Sequence, residues 1–539
     1  MARAHQYPRL ILAVVCLPVF IGALDLTIVS AVLPEVIRSM TVEIQKLDIA
    51  GWVVTGYFVS YAISMTFMGR VSDISGRRVV YLACLVIFFV GSWLVAASPG
   101  WPARIAASIV KSFAGEGTDL AFAPLYALIF GRVIQAFGAG AMVPVSMALV
   151  ADLFPPEKRA LPLGIVGAVD TTGWVLGHLY GGIMVQFMTW PYLFWINLPI
   201  IAVMFAVTWW GLAGLPGGAK GGIDWIGVTL LGLALVLLNV GLGSPEIASE
   251  VSTSPPQHRM YWVVGAVVAF VIFLISQRRI REPILNLRIF SNRNVSAATG
   301  VNVLVGFCIM VALVSVPIFI NVAGASDDTK KAALVTGYLL CAFTVPMALA
   351  AVPGGWLSSK FGYRWSVIGG LVVALLGFVL MSLWKVDMAQ QAVAFFQEPG
   401  GPTRADVLGT GFMAAGLALA GIGIGLTIAP IGTAVVNGVR EQERGMAASL
   451  VIIVRLIGMS VSMSSMTAYG LRRTTILGRE MLRPEDALDF EKTARVALEV
   501  VTKVTGEIAL IALAVAAAAI GVAFLLRKGD VAAPMVVGR

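Results

Sequence analysis

Charged residues are scarce in this chain. Only 12% of its 539 residues are Asp, Glu, Lys or Arg, whereas roughly 25% are charged in an ordinary soluble protein. Hydrophobic residues account for 58%, and the mean hydropathy is +0.90. A chain this long and apolar cannot cover itself with polar surface, so a soluble globular fold is excluded. The composition predicts a polytopic, all-α membrane protein.

Histidine and cysteine are also rare, which bears on catalysis and metal binding. The chain has three histidines and no zinc-binding or hydrolase motif. A membrane enzyme needs a nucleophile, an acid or metal ligands converging at one depth, so we expect no enzyme, no metal site and no bound cofactor. The four cysteines all fall within predicted spans, which excludes a disulfide framework. They are Cys16, Cys84, Cys308 and Cys341.

Basic residues outnumber acidic ones, and the formal net charge is +9. They are spread over short loops without forming a continuous patch, so we expect no nucleic-acid partner. Basic residues near span ends are typical of cytoplasmic loops, and their distribution predicts that both termini are cytoplasmic. Segment 471–503 is the exception, because it carries seven basic residues on the outer side. Long external segments translocate regardless of charge, so the predicted orientation stands.

About fourteen runs of mostly apolar residues are long enough to cross a bilayer, which takes about 20 residues. The first run is too long for a cleavable signal peptide and lacks a small-residue cleavage site, so we expect it to be a true span. The predicted spans lie near 10–34, 50–69, 79–98, 121–150, 161–187, 192–213, 224–244, 260–277, 294–320, 332–357, 365–386, 405–436, 446–470 and 502–526.

The chain repeats itself weakly. The stretch GRVSDISGRR follows the second predicted span, and GGWLSSKFGYR follows the tenth. The two align with Gly69 on Gly355 and Gly76 on Gly362. Internal repeats of this kind are typical of secondary transporters, whose substrate site lies between the two halves.

Four stretches resemble motifs of a known family. GRVSDISGRR resembles the Gly-x-x-x-Asp-x-x-Gly-Arg-Arg signature loop of the Major Facilitator Superfamily. GRVIQAFGAG (131–140) resembles the fourth-helix motif, with Ala136 in place of a glycine. LDLTIVSAVLP (24–34) resembles the first helix of the fourteen-helix drug:proton antiporter branch. GAVDTTGWVLGHLYGG (167–182) resembles the antiporter motif of helix five, but has Gly-His where the family has Gly-Pro and a longer spacing.

This resemblance implies an architecture and a function. We expect two six-helix bundles, at 1–213 and 294–539, joined by two additional linker helices and a basic cytoplasmic loop at 214–293. We expect a monomer in a bacterial plasma membrane that exports hydrophobic or amphiphilic molecules, drug-like compounds or lipids, by alternating access. Proton influx would supply the energy. The alternatives are a lipid exporter or flippase with weak or no proton coupling, and a transporter-like sensor that moves nothing.

The resemblance also implies that the loop after the second span gates the transporter. Its glycines permit a tight turn. Its aspartate can accept hydrogen bonds from a helix N-terminus or a basic neighbour, which would hold the halves in one state until the contact breaks. The alternative is an ordinary charged loop. The expected gating residues are Gly69, Asp73, Gly76, Arg77 and Arg78.

Two buried charges are expected to pair in the first half. Asp25 and Arg132 lie ~12–13 Å from the outer ends of the first and fourth predicted spans. An isolated charge at that depth is expensive, so we expect an ion pair that takes part in proton coupling. Gln135 lies one turn further on the same face and is a candidate for the substrate cavity. The alternative is a static pair that only fixes helix packing.

An acid and a base occupy matching positions in the two halves. Asp170 lies eleven residues after Arg159, and Arg455 lies eleven residues after Arg444. If Arg455 approaches, Asp170 stays ionised; if it withdraws, the carboxyl can take up a proton. We therefore interpret both as coupling residues. The alternative for Asp170 is a polar residue that merely lines a wet cavity.

The rest of the helix-five motif favours close packing. Gly173, Gly177 and Gly181 have small-xxx-small spacing, which lets another helix approach. His178 could titrate near neutral pH, but a lone histidine more often only bonds a neighbour. The motif ends with the pair Gly181-Gly182. At the start of the seventh span, Asp224 is predicted to be a helix N-cap.

Three outer segments exceed what loops require. Segment 99–123 includes an amphipathic stretch, segment 386–405 contains EPGGP, a turn between two short arms, and segment 471–503 has a helical period. The combination resembles the lipid-exporting relatives in actinobacteria, whose extensions carry acyl chains outward. Spacer segments without a transport role are the alternative.

Overall fold

A computed structural model describes most of the chain and shows an all-helical fold within the described part. The described residues are 8–40, 47–114, 123–155, 158–184, 187–214, 222, 224–242, 257–280, 283, 285–323, 329–396, 402–482 and 490–527. Helices are the expected outcome for apolar runs in lipid, because only a helix pairs its backbone groups within one segment.

The helices follow the predicted spans closely. In chain order they are α1 Pro8–Ser39, α2 Leu47–Ser75, α3 Arg77–Ala97, α4 Trp101–Ala114, α5 Ala123–Gly140, α6 Met142–Leu153, α7 Ala160–Met184, α8 Pro191–Gly211, α9 Trp225–Leu242, α10 Gln257–Arg279, α11 Arg293–Ala323, α12 Thr329–Phe361, α13 Tyr363–Ser382, α14 Val386–Phe395, α15 Arg404–Asn437, α16 Arg444–Met481 and α17 Phe490–Ala523. Two short 3-10 turns, η1 Leu287–Ser291 and η2 Glu441–Glu443, precede α11 and α16.

Eleven candidate spans within the described residues are long and apolar enough to cross a membrane. One of them combines α5 and α6, which meet at Ala141 inside the predicted span 121–150. The predicted second, seventh and thirteenth spans coincide with α2, α9 and α16, which are not among these eleven. The all-helical membrane fold is thus confirmed, whereas a total of fourteen spans stays a prediction.

The first of two compact units comprises Met1–Asn292 and Val436–Ile453. In it α1 packs along α7, α3 packs against α5 and α8, and α9 packs against α10 and α2. Gly173 and Gly177 confirm the predicted close approach on α7, because a Cβ at either position would collide with the backbone of α1. The side chain of His178 and the surroundings of Gly182 lie outside what the structure describes.

The second unit comprises Arg293–Val435 and Val454–Arg539. Its α11 packs against α12 and α17, and α13 also packs against α17. On α16, Gly458 lies against the carbonyl oxygen of Val303 on α11, and Gly306 on α11 lies against the carbonyl oxygen of Arg455. The predicted partition at residues 213 and 293 is a different division of the chain and stays a prediction.

The sequence repeat is visible in the local structure of each unit. Gly76 and Gly362, aligned above, both precede a helix with positive φ, at 93° and 82°. Helix crossings repeat as well: Gly91 on α3 lies against Gln135, and Gly377 on α13 lies against Ala420. Glycine is required at each crossing because the opposing backbone occupies the space of a Cβ.

The outer segments are largely helical where they are described. Segment 99–123 contains α4 (Trp101–Ala114), segment 386–405 begins with α14, and the predicted EPGGP turn at 398–402 lies almost wholly outside the described residues. Helices α16 and α17 run well past their predicted spans, as the helical period indicated. Across this extension the Arg473 guanidinium contacts the Glu507 carboxylate at 3.0 Å, and the Tyr469 hydroxyl donates to the same carboxylate at 2.8 Å.

Candidate functional site

The signature loop is a sharp turn between α2 and α3. Gly76 sits between the two helices with φ 93°, a conformation that a side chain strongly disfavours. On α2, Gly69 lies so close to Ser449 Oγ and the Gly445 carbonyl that a Cβ would collide with both. The predicted tight turn thus lies at Gly76, whereas the close contact at Gly69 was not predicted.

Asp73 accepts hydrogen bonds from the first turn of α16, as predicted. The backbone N–H of Gly445 donates to Oδ1 at 3.2 Å, and that of Met446 donates to Oδ2 at 3.3 Å. Arg77 Nη1 lies 2.5 Å from Oδ1. Burial raises the pKa of the Asp73 carboxyl, and Arg77 and the Gly445 amide counter this shift. We call the bonds from Gly445 and Met446 to Asp73 the signature-loop contact.

Further charges reinforce this contact. Asp152 on α6 accepts from Arg77 Nε at 3.2 Å and from Arg444 Nη1 at 3.2 Å. Arg444 also reaches Glu441 at 3.0 Å and the Ala151 carbonyl at 3.1 Å. Sequence reasoning did not assign Asp152 or Arg444 a role here. The signal was present, because a charged residue at each inner span end could have been tested as a partner of Arg77.

Arg78 has a separate role. Its Nη2 donates to the Trp209 carbonyl at 3.1 Å, and its guanidinium lies 4.8 Å from the Trp209 ring centroid. These contacts tie the start of α3 to the end of α8. Of the five predicted gating residues, Arg78 therefore serves helix packing in the described arrangement.

Asp25 and Arg132 form the predicted ion pair and are fully buried. Arg132 Nη1 donates to Asp25 Oδ2 at 2.7 Å and to Gln135 Oε1 at 2.7 Å. Gln135 Nε2 donates to Asp25 Oδ1 at 3.0 Å. The three side chains therefore form one buried network, in which charge-assisted bonds partly offset the desolvation cost of each charge.

Three further residues complete this network, which we call the buried cluster. Asn197 on α8 donates to Asp25 Oδ1 at 3.3 Å, and Gln135 Nε2 donates to Ser92 Oγ on α3 at 2.9 Å. The Arg132 guanidinium stacks 3.9 Å from the Tyr57 ring centroid on α2. Sequence reasoning missed these residues, because uncharged polar side chains are common in spans and their spacing does not identify a partner.

The repeat shows that this helix packing does not require charge. The crossing of α3 and α5 recurs as that of α13 and α15, where Ala420 occupies the position of Gln135. By the same register Leu417 occupies the position of Arg132, and both residues are buried apolar side chains. The second half thus builds the same crossing from an apolar core. Whether the ion pair of the first half takes part in proton coupling or only fixes helix packing stays a prediction.

Asp170 and Arg455 lie in matching local settings. Asp170 is buried on α7, and Arg455 is partly buried on α16. One turn after each comes a glycine in backbone contact with a neighbouring helix, Gly173 in the first half and Gly458 in the second. This supports the alignment that paired the two residues, whereas their approach during transport stays a prediction.

The described residues offer little support for a metal-binding site. No group of three or more His, Cys, Asp or Glu side chains in that part of the chain could hold a metal ion. The carboxylates of Asp25 and Asp73 are bonded by arginine, amide and backbone donors.

Comparison with known families decides the identity of the fold. The family model described as Major Facilitator Superfamily matches residues 15–463. The chain belongs to the Major Facilitator Superfamily. Members of this superfamily transport solutes, so the Major Facilitator assignment agrees with the expectation of a transporter.

Three relatives are similar to this chain over most of its length. A probable triacylglyceride transporter of Mycobacterium leprae is 31% identical over 485 residues, which cover 89% of this chain and 88% of that protein. A triacylglyceride transporter of Mycobacterium tuberculosis is 30% identical over 487 residues, 89% of this chain and 86% of that one. A triacylglyceride transporter of Mycobacteroides abscessus is 32% identical over 463 residues, 85% and 81% of the two chains.

Solved structures support the Major Facilitator fold. The human organic anion transporter MFSD10 superposes with a TM-score of 0.56 at 13% identity, covering 94% of this chain and 99% of that one. A double-tryptophan mutant of XylE superposes with a TM-score of 0.55 at 14% identity, covering 98% of both chains. At these identities the likeness concerns the fold alone.

Proposed function

We propose that this Major Facilitator protein is a secondary active exporter of a neutral, long-chain lipid of the triacylglyceride class, driven by inward proton flow. The buried cluster on the first half is the observation that carries the coupling. The relatives named triacylglyceride transporters, at 30–32% identity over most of both chains, support the lipid class. The helical extension of α16 and α17 agrees with an amphiphilic cargo.

The chemistry of the buried cluster supports the proposed proton coupling. Arg132, Gln135 and Asn197 donate hydrogen bonds to Asp25, and such donors favour the charged form of a carboxyl group. If any of these donors moved away, the buried carboxylate would lose its compensation and bind a proton instead. Such a group can take up a proton in one conformation and release it in another, which is what coupling to a gradient requires.

The signature-loop contact supports the proposed gating role. Asp73 fastens the first turn of α16 through two backbone N–H groups, and the N-terminal helix dipole adds attraction for its charge. The bonds are few and directional, so breaking them releases the turn without unfolding a helix. We infer that this contact opens and closes once in each transport cycle.

The finer assignments belong to the same proposal. We place the chain in a fourteen-helix branch of the superfamily, as a monomer with both termini in the cytoplasm of a bacterial cell. Reporter fusions at each terminus test the topology: we expect both to be active only in the cytoplasm. A terminus that reports from the outer side would overturn the span count.

Reconstitution tests the transport function. Purified protein is placed in liposomes with a fluorescent triacylglycerol, and transfer of the lipid is measured with and without an imposed pH gradient. We expect gradient-dependent transfer in the wild type and gradient-independent slow transfer in Asp25→Asn. Equal transfer with and without the gradient would indicate an uncoupled lipid exporter, and no transfer of lipid would exclude lipid export.

A panel of cationic dyes in the same liposomes separates lipid from drug transport. We expect little dye movement, because the proposed cargo is neutral and long-chained. Gradient-driven movement of dyes without lipid transfer would favour a drug exporter.

A further inference from the structure

The segment that follows the linker helices returns to the signature-loop contact. We call residues 285–292 the linker strap; it contains η1. Asn286 Nδ2 donates to Glu443 Oε1 at 2.7 Å, and the Asn286 backbone N–H donates to Met446 Sδ at 3.3 Å. Asn292 Nδ2 donates to the Gly438 carbonyl at 3.2 Å. The strap is thus hydrogen-bonded to the residues just before α16 and to the first turn of α16.

Met446 joins the strap to the gate. Its sulfur accepts from Asn286, and its backbone N–H donates to Asp73 Oδ2 at 3.3 Å. The same residue therefore belongs to both contacts. A shift of the strap would move the N–H group that Asp73 binds.

The base of the strap is fixed to both linker helices. Gln277, buried near the end of α10, donates through Nε2 to Asp224 Oδ2 at 2.7 Å and accepts the Leu285 N–H through Oε1 at 3.0 Å. Asp224 in turn caps α9, since its Oδ1 accepts the Gly227 N–H at 2.7 Å. One amide therefore links the start of α9, the end of α10 and the strap.

The linker helices also touch the other side of the gate. Helix α9 packs against α2, where Gly232 lies against the side chain of Ile63. Asp73 lies near the end of the same α2. Helix α9 thus contacts α2, which carries the acceptor Asp73. The strap contacts α16, whose first turn carries the two N–H groups that donate to Asp73.

We propose that the two linker helices are a brace for the gate and that Asn286 is its positioning residue. The side chain of Asn286 holds Glu443, and so orients the first turn of α16 toward Asp73. The brace rests on the proposed gating role of the signature-loop contact. On this proposal the two linker helices stabilise the closed signature-loop contact during the transport cycle.

A single-atom change at Asn286 tests the brace. The Asn286 side chain also caps η1, because its Oδ1 accepts the Arg288 N–H at 3.1 Å. Asn286→Asp keeps this cap but replaces the amide that binds Glu443 with a second carboxylate. Glu443→Gln in the same chain restores a donor and acceptor pair, with the amide now on the other residue.

The readout is the exposure of the first turn of α16 and needs no substrate. Ala447 is fully buried beside the signature-loop contact. We use Ala447→Cys with Cys341→Ser, because the remaining native cysteines are buried, and measure the rate of maleimide modification. We expect Asn286→Asp to raise this rate by about tenfold, since a hydrogen bond to a charged group is lost and repulsion replaces it. Adding Glu443→Gln should restore the original rate.

Asn294→Asp is the matched control. It makes the same change eight residues on, and it retains the acceptor oxygen that takes the Arg527 N–H at 2.8 Å. We expect its modification rate to equal that of the parent. An unchanged rate in Asn286→Asp would overturn the brace, and so would a raised rate that Glu443→Gln does not reverse. Failure of lipid transfer in liposomes would instead refute the proposed function, because the thiol rate is measured independently of transport.

Discussion

At the scale of single residues, the chain concentrates its buried charge in few places. Asp25 and Arg132 are fully buried and bonded to each other, and Asp170 is buried one turn before the glycine that contacts α1. A charge in the membrane interior costs several kcal/mol. Residues kept at such a cost need a task that a leucine could not perform, and the proposed task is proton transfer.

Arg132→Lys tests whether the geometry of the guanidinium matters. Arg132 bonds Asp25 Oδ2 and Gln135 Oε1 through one nitrogen and the Asp25 carbonyl through another. A lysine keeps the charge but not the planar fork. We expect gradient-driven transfer to fall by at least about tenfold, since a charge-assisted bond worth roughly 1.5–3 kcal/mol is lost. The liposome assay measures the rate of gradient-driven lipid transfer. A wild-type rate in this variant would contradict the role of the buried cluster in proton coupling.

Asp170→Asn tests the second coupling candidate. The amide is close in size to the carboxyl but cannot exchange a proton. We expect lipid binding to be retained and gradient-driven accumulation to be lost. Binding is measured by ligand-induced thermal stabilisation and accumulation in liposomes. Unchanged accumulation would remove Asp170 from the coupling mechanism.

The sequence predicted the charged members of the site better than the neutral ones. The pairing of Asp25 with Arg132 was predictable because a lone charge in a bilayer must find a counter-charge. The acceptor role of Asp73 followed from the pattern of the loop. Asn197, Ser92 and Asn286 were not predictable, because a neutral polar side chain can be satisfied by many partners and only the folded arrangement selects one.

At the scale of helices, close crossings depend on glycine. Gly370 on α13 lies against the Gly423 carbonyl and the side chains of Leu426 and Thr427, all on α15, whereas no atom lies near the adjacent Gly369. The two positions share a helix and a local sequence. They differ in whether another helix occupies the space beside them.

Substituting these neighbours separates packing from helix propensity. We expect Gly370→Ala to destabilise the protein by about 1–3 kcal/mol, because an added methyl group must displace the α15 backbone. Gly369→Ala is the control and should be neutral or mildly stabilising. Apparent melting temperatures at one scan rate in the same detergent measure both. A lower melting temperature for Gly369→Ala than for Gly370→Ala would contradict the crossing.

The helices themselves were largely predictable. Apolar run length fixed most spans because lipid thickness sets the number of residues needed. The helical period of segment 471–503 correctly indicated that α16 and α17 extend beyond their spans. The turn at Ala141 between α5 and α6 was not foreseen, since a local break inside a uniformly apolar run leaves no mark in hydropathy.

At the scale of the whole molecule, the repeat produces reciprocal contacts. Arg444 binds Asp152 at 3.2 Å, and Arg159, its aligned counterpart, donates through Nη1 to Asn437 Oδ1 at 3.1 Å. The contact between Arg444 and Asp152 is an ion pair, whereas in the contact between Arg159 and Asn437 only the arginine is charged. The first half thus supplies a carboxylate where the second half supplies an amide.

Asn437→Asp makes both contacts charged. We expect the added ion pair with Arg159 to hold the signature-loop contact closed for longer and to slow lipid transfer, while the affinity for lipid stays unchanged. Turnover and lipid binding are measured on the same preparation. Asp152→Asn in the same chain should bring turnover back toward the wild type. A faster Asn437→Asp variant would exclude this interpretation of the contact.

The difference between the two halves also affects how much electrical charge moves across the bilayer during transport. Because Leu417 and Ala420 stand in the second half where the first half has Arg132 and Gln135, the buried cluster is not repeated at these described positions. A hydrogen ion that enters through this cluster while an uncharged lipid leaves would transfer net charge across the bilayer. Export should therefore be electrogenic, and a potassium diffusion potential alone should drive it, each 100 mV contributing about 2.3 kcal/mol per ion. A lipid flux that ignores voltage at constant pH would require a compensating ion.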